Sequence, residues 1–121
     1  MKMTNNEIFN SAVALHQAFA EATTLPIRVN FYLQKNKTVL NDLAKEIEES
    51  RIAILQKHGT LNEENNQFEF EKDKVQTVIT ELNELFSLEQ EIKIYTVKIE
   101  DFGDNLTLTT EQMEALMFMI D

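Results

Sequence analysis

With 121 residues, 43% of them hydrophobic, the chain is long enough for one domain with a real core and too apolar for a disordered one. It has no cysteine, which excludes a disulfide framework, thiolate metal ligands and a cysteine nucleophile. The net charge of −10 is lopsided: residues 1–59 hold seven Lys and Arg against six acids, and residues 60–121 hold four Lys against fifteen acids, a balance that repels nucleic acid and membrane headgroups and attracts basic protein surfaces.

The N-terminal MKMTNNEIFNS lacks an apolar core behind its basic start, so no secretory leader is expected. No apolar run approaches the roughly 18 residues of a membrane helix. With the missing cysteines, this predicts a cytoplasmic protein.

The first helix is predicted to begin at Thr4. Glu7 stands three residues on, the spacing of a capping box in which each side chain satisfies the other's backbone amide. Ile8, Ala12, Leu15, Phe19 and Ala22 then form one apolar stripe, and the helix should stop near Thr23. Pro26, the single proline, suits the first turn of a second helix, where its missing N–H costs nothing. That helix is expected to run to Gly59, with Gly59 in the left-handed conformation that closes many helices and Lys57 and His58 facing the negative end of the helix dipole.

Leu33, Leu40, Leu43, Ile47 and Ile54 make the seam of this long helix, with the polar Asn36 and Ser50 in the same register. At about 1.5 Å per residue it would span roughly 46 Å, so it must bend near Asn36–Thr38 or protrude. A short connection between two such helices implies an antiparallel hairpin.

Gly59 to Gln67 reads as a polar loop. Phe68 and Phe70 alternate with polar neighbours, the pattern of a short half-buried strand. A third helix is predicted from about Lys72 to Leu88, with Val75, Val78, Ile79, Leu82, Leu85 and Phe86 inward and Asp73, Glu81, Glu84 and Glu89 away from them. In EIKIYTVKIEDFG the apolar phase shifts between Ile94 and Tyr95, which suggests a bulged or doubly covered strand. Phe102 to Asn105 is a turn. Leu106 and Leu108 alternate with threonines and suggest a further short strand. Thr109 and Gln112 form a second capping box, and a terminal helix carries Met113, Leu116, Met117 and Ile120. The expected fold is α+β: a long antiparallel helical hairpin (residues 4–59) packed with a small two- or three-stranded antiparallel sheet and two shorter helices from an acidic β-α-β-α part (residues 60–121), all in one domain.

No constellation supports catalysis. His16 and His58 lie too far apart on an antiparallel hairpin to share a site. Asp101 and Asp104 flank Gly103 without the spacing of a calcium loop. Two glycines cannot build a phosphate cradle. No catalytic residue, metal or cofactor is expected. The scattered Lys35, Lys37, Lys45, Arg51 and Lys57, with acids between them, read as a solvated helix face.

The acidic half offers a sharper idea: carboxylates that occupy a partner's basic cleft. The candidates are Glu63, Glu64, Glu69, Glu71, Asp73, Glu81, Glu84, Glu89, Glu91, Glu100, Asp101 and Asp104. Phe118 and Met119 lie off the terminal stripe and would form an apolar partner site if exposed.

The capped first helix, LPIR (Leu25–Arg28), RIAILQKHG (Arg51–Gly59), EIKIYTVKIEDF (Glu91–Phe102) and LTTEQMEAL (Leu108–Leu116) together resemble a family of small proteins of unknown function from tailed phages and prophages of Gram-positive bacteria. The resemblance spans nearly the whole chain and carries no active-site residue across. It implies phage origin and a place in the host cytoplasm; the acidic charge points to a host or phage protein as partner, not nucleic acid or membrane. The leading expectation is a non-enzymatic inhibitor of a host defence system acting through its acidic surface. The alternative is a virion or tail-assembly protein that self-associates, as a homodimer through the long helix.

Overall fold

The computed structural model describes residues 1–20 and 25–121 and shows the expected α+β architecture. A short strand, β1 (Lys2–Thr4), leads into α1 (Asn5–Ala18) and then α2 (Ile27–His58). Next come β2 (Gly59–Asn62), β3 (Gln67–Phe70), α3 (Val75–Ser87), β4 (Glu89–Glu91) and α4 (Thr110–Leu116), with single 3-10 turns at Lys72–Lys74, Ile99–Phe102 and Met117–Met119.

Both capping boxes form. Thr4 Oγ1 accepts from the Glu7 amide at 3.1 Å while Glu7 returns the bond to the Thr4 amide. Thr109 and Gln112 do the same at the head of α4. α1 closes at Ala18, earlier than expected: Phe19 leaves helical geometry at φ −122° and ψ 34°, its amide donates to the Leu15 carbonyl at 3.1 Å, and its side chain stays in the core. The expected stop at Thr23 and the stripe residue Ala22 lie outside the described residues. Pro26 caps α2 from just outside it, its carbonyl accepting from the Asn30 amide at 2.9 Å.

α2 is continuous over 32 residues, roughly 48 Å of rise, whereas the 14 residues of α1 cover only about 21 Å. Two different partners therefore share α2. Its first two-thirds bury Val29, Leu33, Leu40 and Ile47 in the core with Ile8, Leu15, Ile92, Val97, Leu116 and Met119. Beyond Ile47 it leaves α1 behind, Ser50 is exposed, and α3 packs against it.

Several sequence readings are corrected. Gly59 is not left-handed: its φ of −129° and ψ of 175° are extended, and it opens a strand. Glycine is needed there for space, since a Cβ would lie 2.5 Å from the Phe70 ring and 2.9 Å from the Glu69 carbonyl. The polar loop is in fact half of a hairpin, with β2 and β3 antiparallel and Gly59 opposite Phe70. On α3 only Val78 is fully buried, and Val75 and Ile79 are exposed.

The predicted strand after residue 90 ends after three residues. β4 pairs antiparallel with β1, which sequence reasoning did not anticipate, so the sheet is two separate two-stranded pairs. Beyond Ile92 the chain forms no further strand and takes its backbone partners elsewhere: from the Asn36 side chain at Tyr95 and from the C-terminal segment at Val97. That crossing between unlike neighbours explains the phase shift in its apolar pattern. Leu106 and Leu108 pack on the core without forming a strand.

Candidate functional site

The buried interior holds two polar side chains among the described residues, and both are satisfied. Asn5 donates to the Leu85 carbonyl at 2.8 Å and accepts from Gln90 Nε2 at 2.7 Å, fixing the end of α3 to the start of α1. Asn36 donates to the Tyr95 carbonyl and accepts from the Tyr95 amide, each at 2.8 Å. Both asparagines join segments, and neither faces solvent.

The acidic candidates fall into separate groups. Glu63 and Glu64 occupy the β2–β3 loop, Glu69 lies on β3, and Glu71 and Asp73 follow directly; all are exposed. The loop is held by its own asparagines. Asn62 Oδ1 accepts from the Glu64 amide at 3.0 Å, Asn65 Oδ1 accepts from the Gln67 amide at 3.1 Å, and Asn66 takes the positive φ of 56° that asparagine tolerates. Asn62 Nδ2 also donates to Glu69 at 2.8 Å. Among the described residues none of these five acids forms a salt bridge.

Other acids are committed within the chain. Glu89 pairs with Lys2, and Glu91 with the N-terminal ammonium at 3.1 Å. Glu81 does not point away as predicted. Its Oε2 lies 2.6 Å from His58 Nε2 and its Oε1 3.4 Å from Lys57 Nζ. The His58 hydrogen bond, ahead of Lys57, holds the Glu81 carboxyl below the usual carboxylate range. Glu81 and Glu84 flank a groove of about 350 Å³ between α2 and α3, floored by Ala53, Ile54, Leu85 and Leu88.

Glu100, Asp101 and Asp104 sit at the opposite end of the molecule. Asp101 caps the 3-10 turn by accepting from the Lys98 amide at 2.9 Å, and it shares a surface dimple with Arg28 at the start of α2. Arg28 and the β2–β3 hairpin are separated by about 45 Å of helix. The twelve candidate acids therefore do not make one array. Among the described residues the hairpin end gathers the largest group of candidate acids free of salt bridges, five within residues 63–73.

The proposed apolar pair is also corrected. After Leu116 the last helix tightens to a 3-10 turn, which rotates Met119 into the core at 0% exposure and turns Met117 outward at 64%. Phe118 is half-buried against the same core.

A second surface, not anticipated as a site, lies near the start of α2. Phe31, Gln34, Lys35, Thr38, Val39 and Tyr95 line a groove of about 400 Å³. Tyr32 stacks on Tyr95 with ring centres 5.7 Å apart. Lys35 Nζ stands 5.2 Å from the Phe31 ring centre and 5.4 Å from that of Tyr95, and Lys93 Nζ stands 5.3 Å from Tyr95. The aromatic residues at 31 and 32 were visible in the sequence, but Tyr95 joins them only through the fold.

Among the described residues no three His, Asp or Glu side chains approach closely enough to hold a metal ion, and no helix is long and apolar enough to cross a membrane. Comparison with protein-family models, curated proteins and solved structures found no match.

Proposed function

We propose that the chain is a non-enzymatic, phage-encoded binding protein that inhibits a host system in the bacterial cytoplasm by laying its acidic hairpin end on a basic surface of a host protein. One observation carries the binding mode: Glu63, Glu64, Glu69, Glu71 and Asp73 are exposed and free of salt bridges among the described residues, on a loop pinned by Asn62 and Asn65. A pinned loop loses little freedom on binding, and a concentrated charge steers the encounter with a basic partner. The phage origin and the inhibitory role rest on the sequence resemblance alone.

The test is capture of a partner from host lysate, followed by binding measurements across salt. Affinity should fall steeply as the screening length shortens from about 30 Å at low salt to about 8 Å at physiological strength. It should be lost when Glu63, Glu64 and Glu69 are changed together to lysine. A partner bound equally well by that variant and indifferent to salt would refute the acidic mode.

Assembly through self-association is the second reading, and one observation favours it: Ile27 is 89% and Phe31 56% exposed, one helical turn apart on α2. The seam first considered for this role is occupied internally, since Leu33, Leu40 and Ile47 are buried in the chain's own core. Leu40→Asp would therefore unfold the protein and report nothing about assembly. Sedimentation of wild type against Ile27→Ser tests the outward face.

A further inference from the structure

We propose that the groove between α2 and Tyr95 is a second binding site, which takes an acidic peptide segment of a partner protein with one apolar side chain seated against Phe31 and Val39 and carboxylates meeting Lys35 and Lys93. The site stands independently of the acidic hairpin and lies at the other end of α2.

Three observations carry it. The first is charge. In a chain with nearly twice as many acids as bases, no carboxylate among the described residues lines this groove. Neither Lys35 nor Lys93 forms a salt bridge among the described residues. Both ammonium groups nonetheless stand within 5.4 Å of the centre of the Tyr95 ring. Two ammonium groups without an acidic partner beside one ring leave a local positive charge that an anion would offset.

The second observation is shape. The wall is apolar and aromatic, and the volume of about 400 Å³ falls in the range of sites that bury a side chain or small ligand. Phe31 is 56% exposed and offers a ring that a partner can cover.

The third is preorganisation. Tyr95 is fixed from behind by both Asn36 hydrogen bonds, at 2.8 Å each, and by the stacked Tyr32 ring. The aromatic wall is thus already set before any ligand arrives, which lowers the ordering cost of binding.

These features fit an acidic peptide better than a polynucleotide. Nucleic-acid binding draws its strength from many phosphate contacts, typically about six to ten. This groove has Lys35 in its wall and Lys93 beside its Tyr95 ring, on a chain whose net charge of −10 opposes a long polyanion. One or two carboxylates beside an apolar anchor need only what the groove provides.

The test uses the full chain and a fluorescein-labelled synthetic peptide in which one phenylalanine is flanked on both sides by glutamates, read by fluorescence anisotropy. The peptide should bind. Lys35→Glu and Lys93→Glu should each weaken it by about fivefold, and Phe31→Ser should weaken it without changing the salt dependence. All three positions are exposed, so unchanged circular dichroism melts will establish that the variants fold. A peptide with serine for its phenylalanine should bind more weakly. The triple hairpin variant should retain binding, so failure here and failure of the acidic hairpin are separable. The proposal is overturned if the peptide does not bind, or if the lysine variants bind it as well as wild type. It is equally overturned if labelled oligothymidylate binds more tightly through the same lysines, or if Phe31→Ser acts only by dissolving a dimer.

Discussion

Asn36 and Tyr95 are 59 residues apart in sequence, yet the Asn36 amide closes two hydrogen bonds of 2.8 Å on the Tyr95 backbone. Asn36 is 0% exposed, in the middle of the apolar stripe of α2. The amide does for the segment at Tyr95 what a neighbouring strand would have done: it takes up one N–H and one C=O that water cannot reach easily. Asn36→Ala removes both partners at once and should destabilise the protein by about 2–4 kcal/mol. Asn36→Asp keeps an acceptor for the Tyr95 amide but turns a carboxylate toward the Tyr95 carbonyl, and should be at least as damaging at neutral pH. Urea denaturation measures both. Loss of less than about 0.5 kcal/mol in Asn36→Ala would mean that the clamp contributes nothing beyond what water supplies.

Gly59→Ala tests space rather than backbone conformation. An added Cβ would sit 2.5 Å from the Phe70 ring and 2.9 Å from the Glu69 carbonyl oxygen. The ring can turn aside, but the carbonyl belongs to the strand pairing and cannot. The expected cost is about 1–3 kcal/mol, the usual penalty for overpacking. Phe70→Ala should relieve part of it, so the alanine costs less in that background than in wild type. Equal costs in both backgrounds would place the collision at the carbonyl alone. Amide exchange in β2 and β3 should accelerate in the single variant.

What could be read in advance was local. Thr4 with Glu7 and Thr109 with Gln112 are boxes written within four residues, and both close as the spacing requires. The length of α2 followed from Pro26 and Gly59 as the breaks at its two ends. What could not be read was the pairing of distant segments. β1 and β4 bring Lys2 opposite Glu91, and neither three-residue stretch is long enough to show a strand pattern. Asn36 was visible as a polar residue out of place, but nothing local named Tyr95 as its partner. Met119 was misplaced for a different reason: a change from α to 3-10 winding shifts the register by a fraction of a turn, and helical spacing assumes no such change. The acidic candidates were legible as residue types. Their division between the two ends of α2 was set by tertiary contacts, above all the His58–Glu81 bond.

The short α4 depends on its cap. Seven residues cannot hold a helix in isolation, yet α4 delivers Leu116 to the core at 0% exposure. Thr109→Ala should cost about 1 kcal/mol. Gln112→Ala should cost a similar amount, since it loses the reciprocal bond and its 3.2 Å contact to the Ala18 carbonyl. Because the two residues complete one box, the double variant should lose less than the sum. Strict additivity in thermal melts would show that the two bonds act separately.

Acid should loosen the junction of α2 and α3. The Glu81 carboxyl titrates below its ordinary value of 4.5, chiefly because His58 hydrogen-bonds its charged form and Lys57 adds to that. A carboxyl depressed in the folded state contributes stability that is fully present above its unfolded value and is lost as pH falls through the folded one. The Glu48 carboxyl, lowered first by its hydrogen bonds from Arg51, acts in the same direction and the same window. Wild type should therefore be more stable than Glu81→Gln at neutral pH, and the gap should close as pH drops below about 4.5. Glu48→Gln should show the same closing gap, and the two effects should add, because Glu48 and Glu81 share no partner. Urea midpoints taken across the acid range read this directly. A gap for Glu81→Gln that persists unchanged into strong acid would show that the 2.6 Å contact to His58 stabilises the junction by shape alone and not by charge.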